Sequence, residues 1–406
     1  MTHHRRPRLL ACFAATLFML AGARAATPAP DTLRAAFADD FLIGVALNTA
    51  MVDGRAARAG ELAGRHFSSL TAENDMKWQS INDEPGVYDF SVADAYVDFA
   101  EKHRMAAIGH TLVWHSQTPR WVFQDENGQP ASRELLLKRM RDHIHTVAGR
   151  YKGRIKGWDV VNEAISDGGA DAPMLRNSPW KRIIGDDFID HAFRFAREAD
   201  PHAELYYNDY GMFHREKRER TIKMLRGLLE RGVPIDGVGM QGHYQIVNPP
   251  VEDIEDAIKD FAALGLKVMV TELDVDVLPS RGPVGNAEIS RREEYAASLN
   301  PYVEGLPDEV QQQLAKRYAD IFAVFLKHRK DITRVTLWGL HDGQTWLNGF
   351  PVRGRTNHPL LFDRELQPKP AFFAVLQSPH DDHPGISSSP RSDRHLRLHG
   401  PRGRAR

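Results

Sequence analysis

From residue 41 onward, short runs rich in β-branched and aromatic residues alternate with amphipathic helical stretches, and this alternation occurs eight times. Strands that are apolar on both faces and alternate with helices imply a parallel sheet. Eight such units in one chain favour a closed (β/α)8 barrel. A doubly wound sheet is the alternative, but no GxGxxG or P-loop motif follows any of the predicted strands.

The pattern also predicts where each element lies. The predicted strands are 41–47, 66–73, 106–114, 156–162, 204–209, 236–242, 267–274 and 334–340. The predicted helices lie at about 55–64, 91–104, 132–150, 187–199, 215–231, 251–264 and 309–330, with a shorter one after Pro370. Ser91 and Ser132 are placed to cap the helices that follow them.

The N-terminal segment has the form of a secretory signal: a basic start, an apolar middle and small residues before Ala26. We therefore predict a signal peptide over residues 1–25 and export to the periplasm or the extracellular medium. The apolar run is too short to span a bilayer. The only cysteine, Cys12, lies in this signal, so no disulfide is expected in the mature chain.

The rest of the chain is predicted to form a single domain over residues 26–377, followed by a tail. Residues 378–406 are rich in Ser, Pro, Arg and His, which predicts a disordered basic tail. Residues 275–308 form a long insertion after the seventh predicted strand. The net charge of -1 gives no electrostatic reason to expect nucleic acid or an anionic membrane as a partner, and a monomer is expected.

Polar and aromatic residues collect at the C-terminal ends of seven predicted strands, where a barrel enzyme carries its active site. The segments are TAENDMKW (71–78), GHTLVWHSQ (109–117), WDVVNEA (158–164), YNDY (207–210), QGHY (241–244), TELD (271–274) and WGLHDGQTW (338–346). One polar strand end alone would be explained by solvation or by a structural hydrogen bond. Seven at the same end of a barrel predict a binding site.

The residue types at these ends indicate sugar chemistry. Glu163 and Glu272 end the fourth and seventh strands, which face each other across a barrel, and paired carboxylates there suit glycoside hydrolysis. Flat apolar faces for sugar rings are offered by the tryptophans Trp114, Trp338 and Trp346. Donors and acceptors for hydroxyl groups are offered by Asn74, Lys77, His110, Gln117, Asn162 and Gln241. The set favours a neutral polysaccharide over a phosphate or a nucleobase.

Strand alternation adds two predictions about geometry. Residues of equal parity share a face, so Glu272 and Asp274 are expected to meet His243, which would orient the carboxylate. Asn162 and Glu163 have opposite parity. Both can reach the site only if the fourth strand has an irregularity at its end.

These seven segments, in this order and spacing, resemble the glycoside hydrolase family 10 endo-β-1,4-xylanases over residues 35–377. The resemblance implies a retaining (β/α)8 enzyme that acts on xylan and xylo-oligosaccharides, without cofactor or metal. It implies Glu163 as acid/base and Glu272 as nucleophile, and Asn162 beside Glu163 is expected to hold the sugar 2-hydroxyl. Asp274 is expected, from the alternation above, to support the site by orienting His243. The subsite residues that the resemblance implies are Glu73, Asn74, Lys77, His110, Trp114, Gln117, Asn162, Tyr210, Gln241, His243, Trp338 and Trp346.

Three other functions are consistent with parts of the pattern. A metal-dependent barrel hydrolase could use His110, His115 and His243, although no strand carries an H-x-H or H-E-x-x-H spacing. A non-catalytic sugar-binding barrel would be expected to lack one of the two glutamates. A cellulase or mannanase has the same chemistry, and only the resemblance selects xylan.

Overall fold

The computed structural model describes residues 30–279, 299–351 and 353–381 of the chain. The predicted signal peptide at 1–25 lies outside the described residues. So do residues 280–298 of the predicted insertion and residues 382–406 of the predicted tail.

The described strands form a closed parallel barrel. They are β1 Leu42–Leu47, β2 Ser69–Ala72, β3 Ala106–Trp114, β4 Ile155–Asn162, β5 Glu204–Asp209, β6 Gly237–Met240, β7 His243–Gln245, β8 Lys267–Asp276 and β9 Ile332–Leu337. The hydrogen-bonded order is β6-β5-β4-β3-β2-β1-β9-β8, and a pairing of β6 with β8 closes the ring. The short β7 extends this ring beside the end of β8. The predicted (β/α)8 barrel is confirmed, and its eight strands are β1 to β6, β8 and β9.

Helices cover the outside of the barrel. They are α1 Leu33–Ala36, α2 Thr49–Val52, α3 Ala57–His66, α4 Trp78–Ile81, α5 Ser91–Lys102, α6 Arg133–Arg150, α7 Pro179–Ile183, α8 Phe188–Ala199, α9 Arg215–Glu230, α10 Val251–Ala262, α11 Asp308–Lys327 and α12 Pro370–Asp381. Short 3-10 helices lie at Arg120–Phe123, Asp342–Gln344 and Trp346–Asn348. No helix among the described residues combines the length and apolar character needed to cross a bilayer.

Local sequence explains most of the helix ends. Ser132 caps α6 as predicted, because its hydroxyl accepts a hydrogen bond from the Leu135 backbone N–H. The prediction for Ser91 was wrong: Ser91 is the first residue of α5, and Asp89 accepts from its backbone N–H at 2.8 Å. Helix α12 continues to Asp381, so the predicted tail begins in a helix at Ser378.

The core lies between the barrel and the helix layer. In α8, residues at helical spacing such as Phe188, Ala192 and Phe193 face inward and are buried against the sheet. The barrel strands are buried on both faces, as in β4, where Trp158 and Val160 are fully covered. Since all barrel strands run in parallel, their C-terminal ends meet on one side of the molecule, where the polar segments come together.

The predicted irregularity at the end of β4 is present. The register of β4 shifts between Asp159 and Val161 on its β5 side, and β3 shifts between His110 and Val113 on its β4 side. Glu163 then has a φ of 56°, in the left-handed region, which costs a non-glycine residue about 1–2 kcal/mol. This departure from regular pleating brings two consecutive side chains, Asn162 and Glu163, to the same cavity.

Candidate active site

One cavity of about 1030 Å³ opens at the C-terminal ends of the barrel strands. Every residue predicted to be catalytic or to contact sugar lines it: Glu73, Asn74, Lys77, His110, Trp114, Gln117, Asn162, Glu163, Tyr210, Gln241, His243, Glu272, Trp338 and Trp346. Asp274, predicted to play a supporting part, is buried behind His243. The barrel therefore gathers residues that lie more than 270 positions apart in sequence, from Glu73 to Trp346, around one space.

Glu163 is held by neutral donors. Trp114 Nε1 donates to Glu163 Oε2 at 2.9 Å, and Gln241 Nε2 donates to Glu163 Oε1 at 2.9 Å. The side chain is partly exposed to the cavity. Two uncharged donors fix the direction of the carboxyl group within the cavity.

Glu272, in contrast to Glu163, is buried and contacts a histidine. It is only 5% exposed, and its oxygens are reached by Asn208 Nδ2 at 2.8 Å and by His243 Nε2 at 3.3 Å. Burial alone would raise the pKa of Glu272. The hydrogen bond from His243, the charges of His110 and His243 and the amide of Asn208 outweigh burial, so the pKa lies below its ordinary value. The surroundings of Glu272 therefore favour its ionised form.

His243 is the charged partner of Glu272. Its Nδ1 lies 3.0 Å from Asp274 Oδ1, and its Nε2 faces Glu272. Burial lowers the pKa of His243, but Asp274 and Glu272 on either side of the ring outweigh burial and raise that pKa to about 10. The ring is therefore an imidazolium at neutral pH and donates to both acids. The predicted cluster of Glu272, His243 and Asp274 is present.

A lysine and two amides form another wall of the cavity. Lys77 Nζ donates to Asn74 Oδ1 and to Gln117 Oε1, each at 2.9 Å, and lies 4.9 Å from the centre of the Trp114 ring. Burial lowers the pKa of Lys77, and burial raises the pKa of the neighbouring Glu73. Gln117 has a φ of 44°, so this contact residue also has left-handed backbone geometry. The group offers several donors and acceptors in fixed positions to a polar ligand.

The aromatic residues of the cavity are fixed by polar partners. Trp346 Nε1 donates to Asp274 Oδ2 at 2.8 Å, which links this ring to the His243 cluster. Trp338 is mostly buried and meets His110 edge to face at 5.4 Å. His110 is in turn held by Asp159, whose Oδ2 lies 2.9 Å from its Nδ1. Rigid rings that expose a face suit the apolar side of a sugar.

Comparison with known proteins identifies the family. Residues 32–378 match the model of glycosyl hydrolase family 10. The chain belongs to glycosyl hydrolase family 10.

Two relatives and one solved structure match this chain over almost their whole length. Endo-1,4-β-xylanase A of Xylanibacter ruminicola is 45% identical over 370 residues, which cover 91% of this chain and 99% of that protein. Endo-1,4-β-xylanase B of Paenibacillus barcinonensis is 44% identical and covers 85% of this chain and 97% of that protein. The solved structure of a GH10 endoxylanase from a sugarcane soil metagenome has a TM-score of 0.80 and 46% identity, over 86% of this chain and 99% of that chain.

Sequence reasoning missed one central residue of this family 10 site, Asn208. Its amide nitrogen donates to Glu272 and also lies 2.9 Å from Asn162 Oδ1. Thr271 Oγ1 donates to Asn208 Oδ1 at 2.6 Å, which fixes the amide with its nitrogen toward Glu272. Asn208 lies two residues before Tyr210, so strand alternation in the YNDY segment could have placed both on the cavity side.

Other lining residues come from loops and from the first turn of α9, where no strand periodicity points to them. These are Asp167, Gly168, Gly169, Gly211, Phe213, His214, Glu216, Lys217 and Phe350. Most lie near Tyr210, whose hydroxyl donates to Asp167 Oδ2 at 2.6 Å and accepts from Arg176 Nη2 at 2.7 Å. Lys217 Nζ lies 3.5 Å from the centre of the Tyr210 ring. The loops after β4 and β5 therefore build one end of the cavity.

Proposed function

We propose that this chain is a retaining endo-1,4-β-xylanase that hydrolyses internal β-1,4-xylosidic bonds of xylan, with Glu163 as acid/base and Glu272 as nucleophile. The observation that carries the proposal is the contrast between the two glutamates of one cavity. Neutral donors hold Glu163, whereas a charged histidine and an amide favour the ionised form of Glu272. Two carboxyl groups in unlike surroundings are what an acid and a nucleophile require. The xylanase names of the family 10 relatives support xylan as the substrate.

In the first step, Glu272 attacks the anomeric carbon of the sugar beside it, and the bond to the glycosidic oxygen breaks. Glu163 gives its proton to that oxygen, so the shortened chain leaves as a neutral alcohol. The sugar is then joined to Glu272 as an ester. Asn208 and His243 contact the Glu272 oxygens and would stabilise the carboxylate before attack and again when it is released.

In the second step, water enters the place of the departed chain. Glu163, now ionised, takes a proton from this water as the oxygen attacks the anomeric carbon. The ester bond breaks, Glu272 leaves as a carboxylate, and the product keeps the β configuration. Asn162, which precedes Glu163 and contacts the Asn208 amide beside Glu272, would bind the sugar 2-hydroxyl.

The remaining parts of the proposal concern binding and location. The tryptophan faces and the group around Lys77 would bind neighbouring sugar units of xylan or xylo-oligosaccharides. We also propose that the chain acts outside the cytoplasm, because residues 1–25 have the form of a secretory signal. We propose that it acts as a monomer.

The substrate proposal is tested by product analysis on xylan, carboxymethylcellulose and mannan in parallel, with equal enzyme and equal mass of polymer. We expect short xylo-oligosaccharides from xylan early in the reaction, together with a fast fall in viscosity, because an endo-acting enzyme cuts inside the chain. Faster release of sugars from carboxymethylcellulose or mannan would contradict the substrate. Release of xylose alone, without a fall in viscosity, would contradict endo action.

A second expectation concerns pH and Asn208. The donor amide of Asn208 helps to hold the pKa of Glu272 below its ordinary value, whereas burial acts in the opposite direction. Asn208→Ala removes the amide hydrogen bond that lowers the pKa of Glu272. Burial still raises this pKa, so the pKa of Glu272 should be higher in the variant than in the wild type. Glu272 must be ionised to attack, and the loss of activity on the acidic side should therefore begin at a higher pH than in the wild type.

The measurement is the pH profile of kcat/KM, which reports groups of the free enzyme. The folded fraction is measured by circular dichroism at each pH, because acid unfolding of a less stable variant would also lower kcat/KM. An acidic limb that stays in place, or moves to lower pH, would contradict this account of Glu272.

A further inference from the structure

The turn that carries Glu163 is held by residues outside the cavity. Glu163 has a φ of 56°, and the two residues after it, Ala164 and Ile165, are buried. Their backbone N–H groups both donate to one atom, the Tyr207 hydroxyl oxygen, each at 3.0 Å. The Glu163 N–H itself donates to the Asn208 carbonyl oxygen at 2.9 Å. The whole turn is therefore bonded to strand β5.

Tyr207 is in turn held by a buried ion pair. Its hydroxyl donates to Asp209 Oδ2 at 2.5 Å, and the Ile165 N–H also approaches this oxygen at 3.3 Å. Asp209 is fully buried and pairs through Oδ1 with Lys217 Nζ at 2.9 Å. Tyr207 and Asp209 share a parity on β5 that points away from the barrel axis, toward α9, where Lys217 lies. Neither Tyr207 nor Asp209 lines the cavity, so neither is placed to touch a sugar.

We propose that Tyr207, held by Asp209 and Lys217, is a positioning residue that keeps Glu163 in the left-handed conformation from which its carboxyl group meets the glycosidic oxygen. A left-handed φ at a glutamate persists only where surrounding contacts impose it. The Tyr207 hydroxyl supplies two of those contacts at the residues that follow Glu163. The inference rests on the proposed acid/base role of Glu163 and extends it.

The first test is Tyr207→Phe, which removes one oxygen. It leaves the buried Ala164 N–H without its acceptor and the Ile165 N–H with only the longer bond to Asp209 Oδ2. The turn should relax toward regular backbone geometry, and the Glu163 carboxyl group should move away from the leaving oxygen. A displacement of about 1 Å at a reacting group can cost on the order of 100-fold in rate, and we expect a loss of that order in kcat/KM on xylo-oligosaccharides. Dinitrophenolate leaves a dinitrophenyl β-xylobioside without protonation, so kcat/KM for this substrate should change little.

The ratio of these two kcat/KM values is the decisive quantity. A smaller fraction of folded enzyme lowers both values by the same factor, so a purely structural role leaves the ratio at the wild-type value. Tyr151→Phe is the matched control, since Tyr151 is equally buried and also donates to a carboxylate, Asp94 Oδ1, at 2.9 Å. Tyr151 lies just before β4 begins, at the opposite end of the barrel, and its variant should keep the wild-type ratio.

Asp209→Asn tests the positioning role of Tyr207 if the Tyr207→Phe variant does not fold. Every group that contacts the Asp209 oxygens is a donor: the Tyr207 hydroxyl, the Ile165 and Tyr210 N–H groups and the Lys217 ammonium. An amide must turn its own N–H₂ toward one of them in either orientation, which breaks the network while keeping the shape. The same selective loss on xylo-oligosaccharides is expected.

Glu163→Ala, measured beside these variants, separates the possible failures. If Glu163→Ala discriminates between the two substrates and the variants at Tyr207 or Asp209 do not, the positioning role is overturned and the acid role stands. If Glu163→Ala itself fails to discriminate, the proposed function of Glu163 is overturned. A wild-type substrate ratio in the folded Tyr207→Phe variant is by itself sufficient to reject the inference.

Discussion

Replacing Glu272 with Ala is expected to abolish xylan hydrolysis while leaving sugar binding intact. Without this carboxylate no group remains to form the ester with the anomeric carbon, and we expect kcat to fall on the order of 10⁵-fold. The tryptophans and the amides of the cavity are unchanged, so xylo-oligosaccharides should still quench tryptophan fluorescence in a titration. Glu272→Gln keeps the shape of the side chain and should lose activity to a similar extent, which separates loss of the nucleophile from loss of packing.

Azide should restore cleavage by Glu272→Ala of an activated aryl xylobioside. The small anion can occupy the space that the carboxylate has left and attack the anomeric carbon from the same side. A single displacement inverts the configuration, so the product should be the α-xylobiosyl azide, whereas the wild-type enzyme should first release the β-anomer from xylan. Proton NMR distinguishes the two anomers.

Covalent labelling tests Glu272 in the wild-type enzyme. A 2-fluoro-xylobioside with a good leaving group should form the sugar ester and then hydrolyse slowly, because fluorine disfavours the positively charged transition state of both steps. Peptide mapping should place the added mass on the segment TELD, at Glu272. Label on a different residue, or azide rescue that yields the β-azide, would refute the nucleophile assignment.

Replacing Glu163 with Ala should harm natural and activated substrates to very different degrees. General acid catalysis contributes about 10²–10⁴-fold, and we expect a loss of kcat/KM in this range on xylan, where the leaving oxygen needs a proton. A dinitrophenolate leaves unaided, so kcat/KM for its xylobioside should be close to that of the wild type. Trp114 and Gln241, which donate to Glu163, remain available to other acceptors.

Azide should act on Glu163→Ala in the second step. The sugar ester on Glu272 then lacks a base to activate water, so kcat on the aryl substrate should fall while kcat/KM does not. Azide needs no base and should raise kcat, and two displacements should give the β-azide. Equal losses of kcat/KM on xylan and on the dinitrophenyl substrate would show that Glu163 is not the acid.

The alternation of strands and helices in the sequence was sufficient to predict the barrel. Each strand is apolar on both faces, so it has to be covered by helices, and a set of eight such units closes on itself. The position of the site followed from the same argument. Because the strands are parallel, the polar ends of β2 to β6, β8 and β9 meet on one side of the barrel. The sequence alone therefore predicts that Glu163 and Glu272 share a site.

Local signals were less reliable at the edges of elements. Ser132 caps α6, whereas Ser91 begins α5, and α12 runs past the predicted domain end. Either serine can serve as a cap or as a first helical residue. The choice depends on neighbouring groups such as Asp89, which accepts from the Ser91 N–H.

The chemical state of the site was decided by the tertiary structure. Alternation predicted that β4 must be irregular. The left-handed Glu163 and the residue after it donate their backbone N–H groups to acceptors on β5, the Asn208 carbonyl and the Tyr207 hydroxyl, and alternation could not predict these bonds. The lowered pKa of Glu272 likewise depends on His243 and Asn208, 29 and 64 residues away in sequence. Hydrogen bonds and charges act over a few ångströms, and only the closed barrel brings these distant residues within that range.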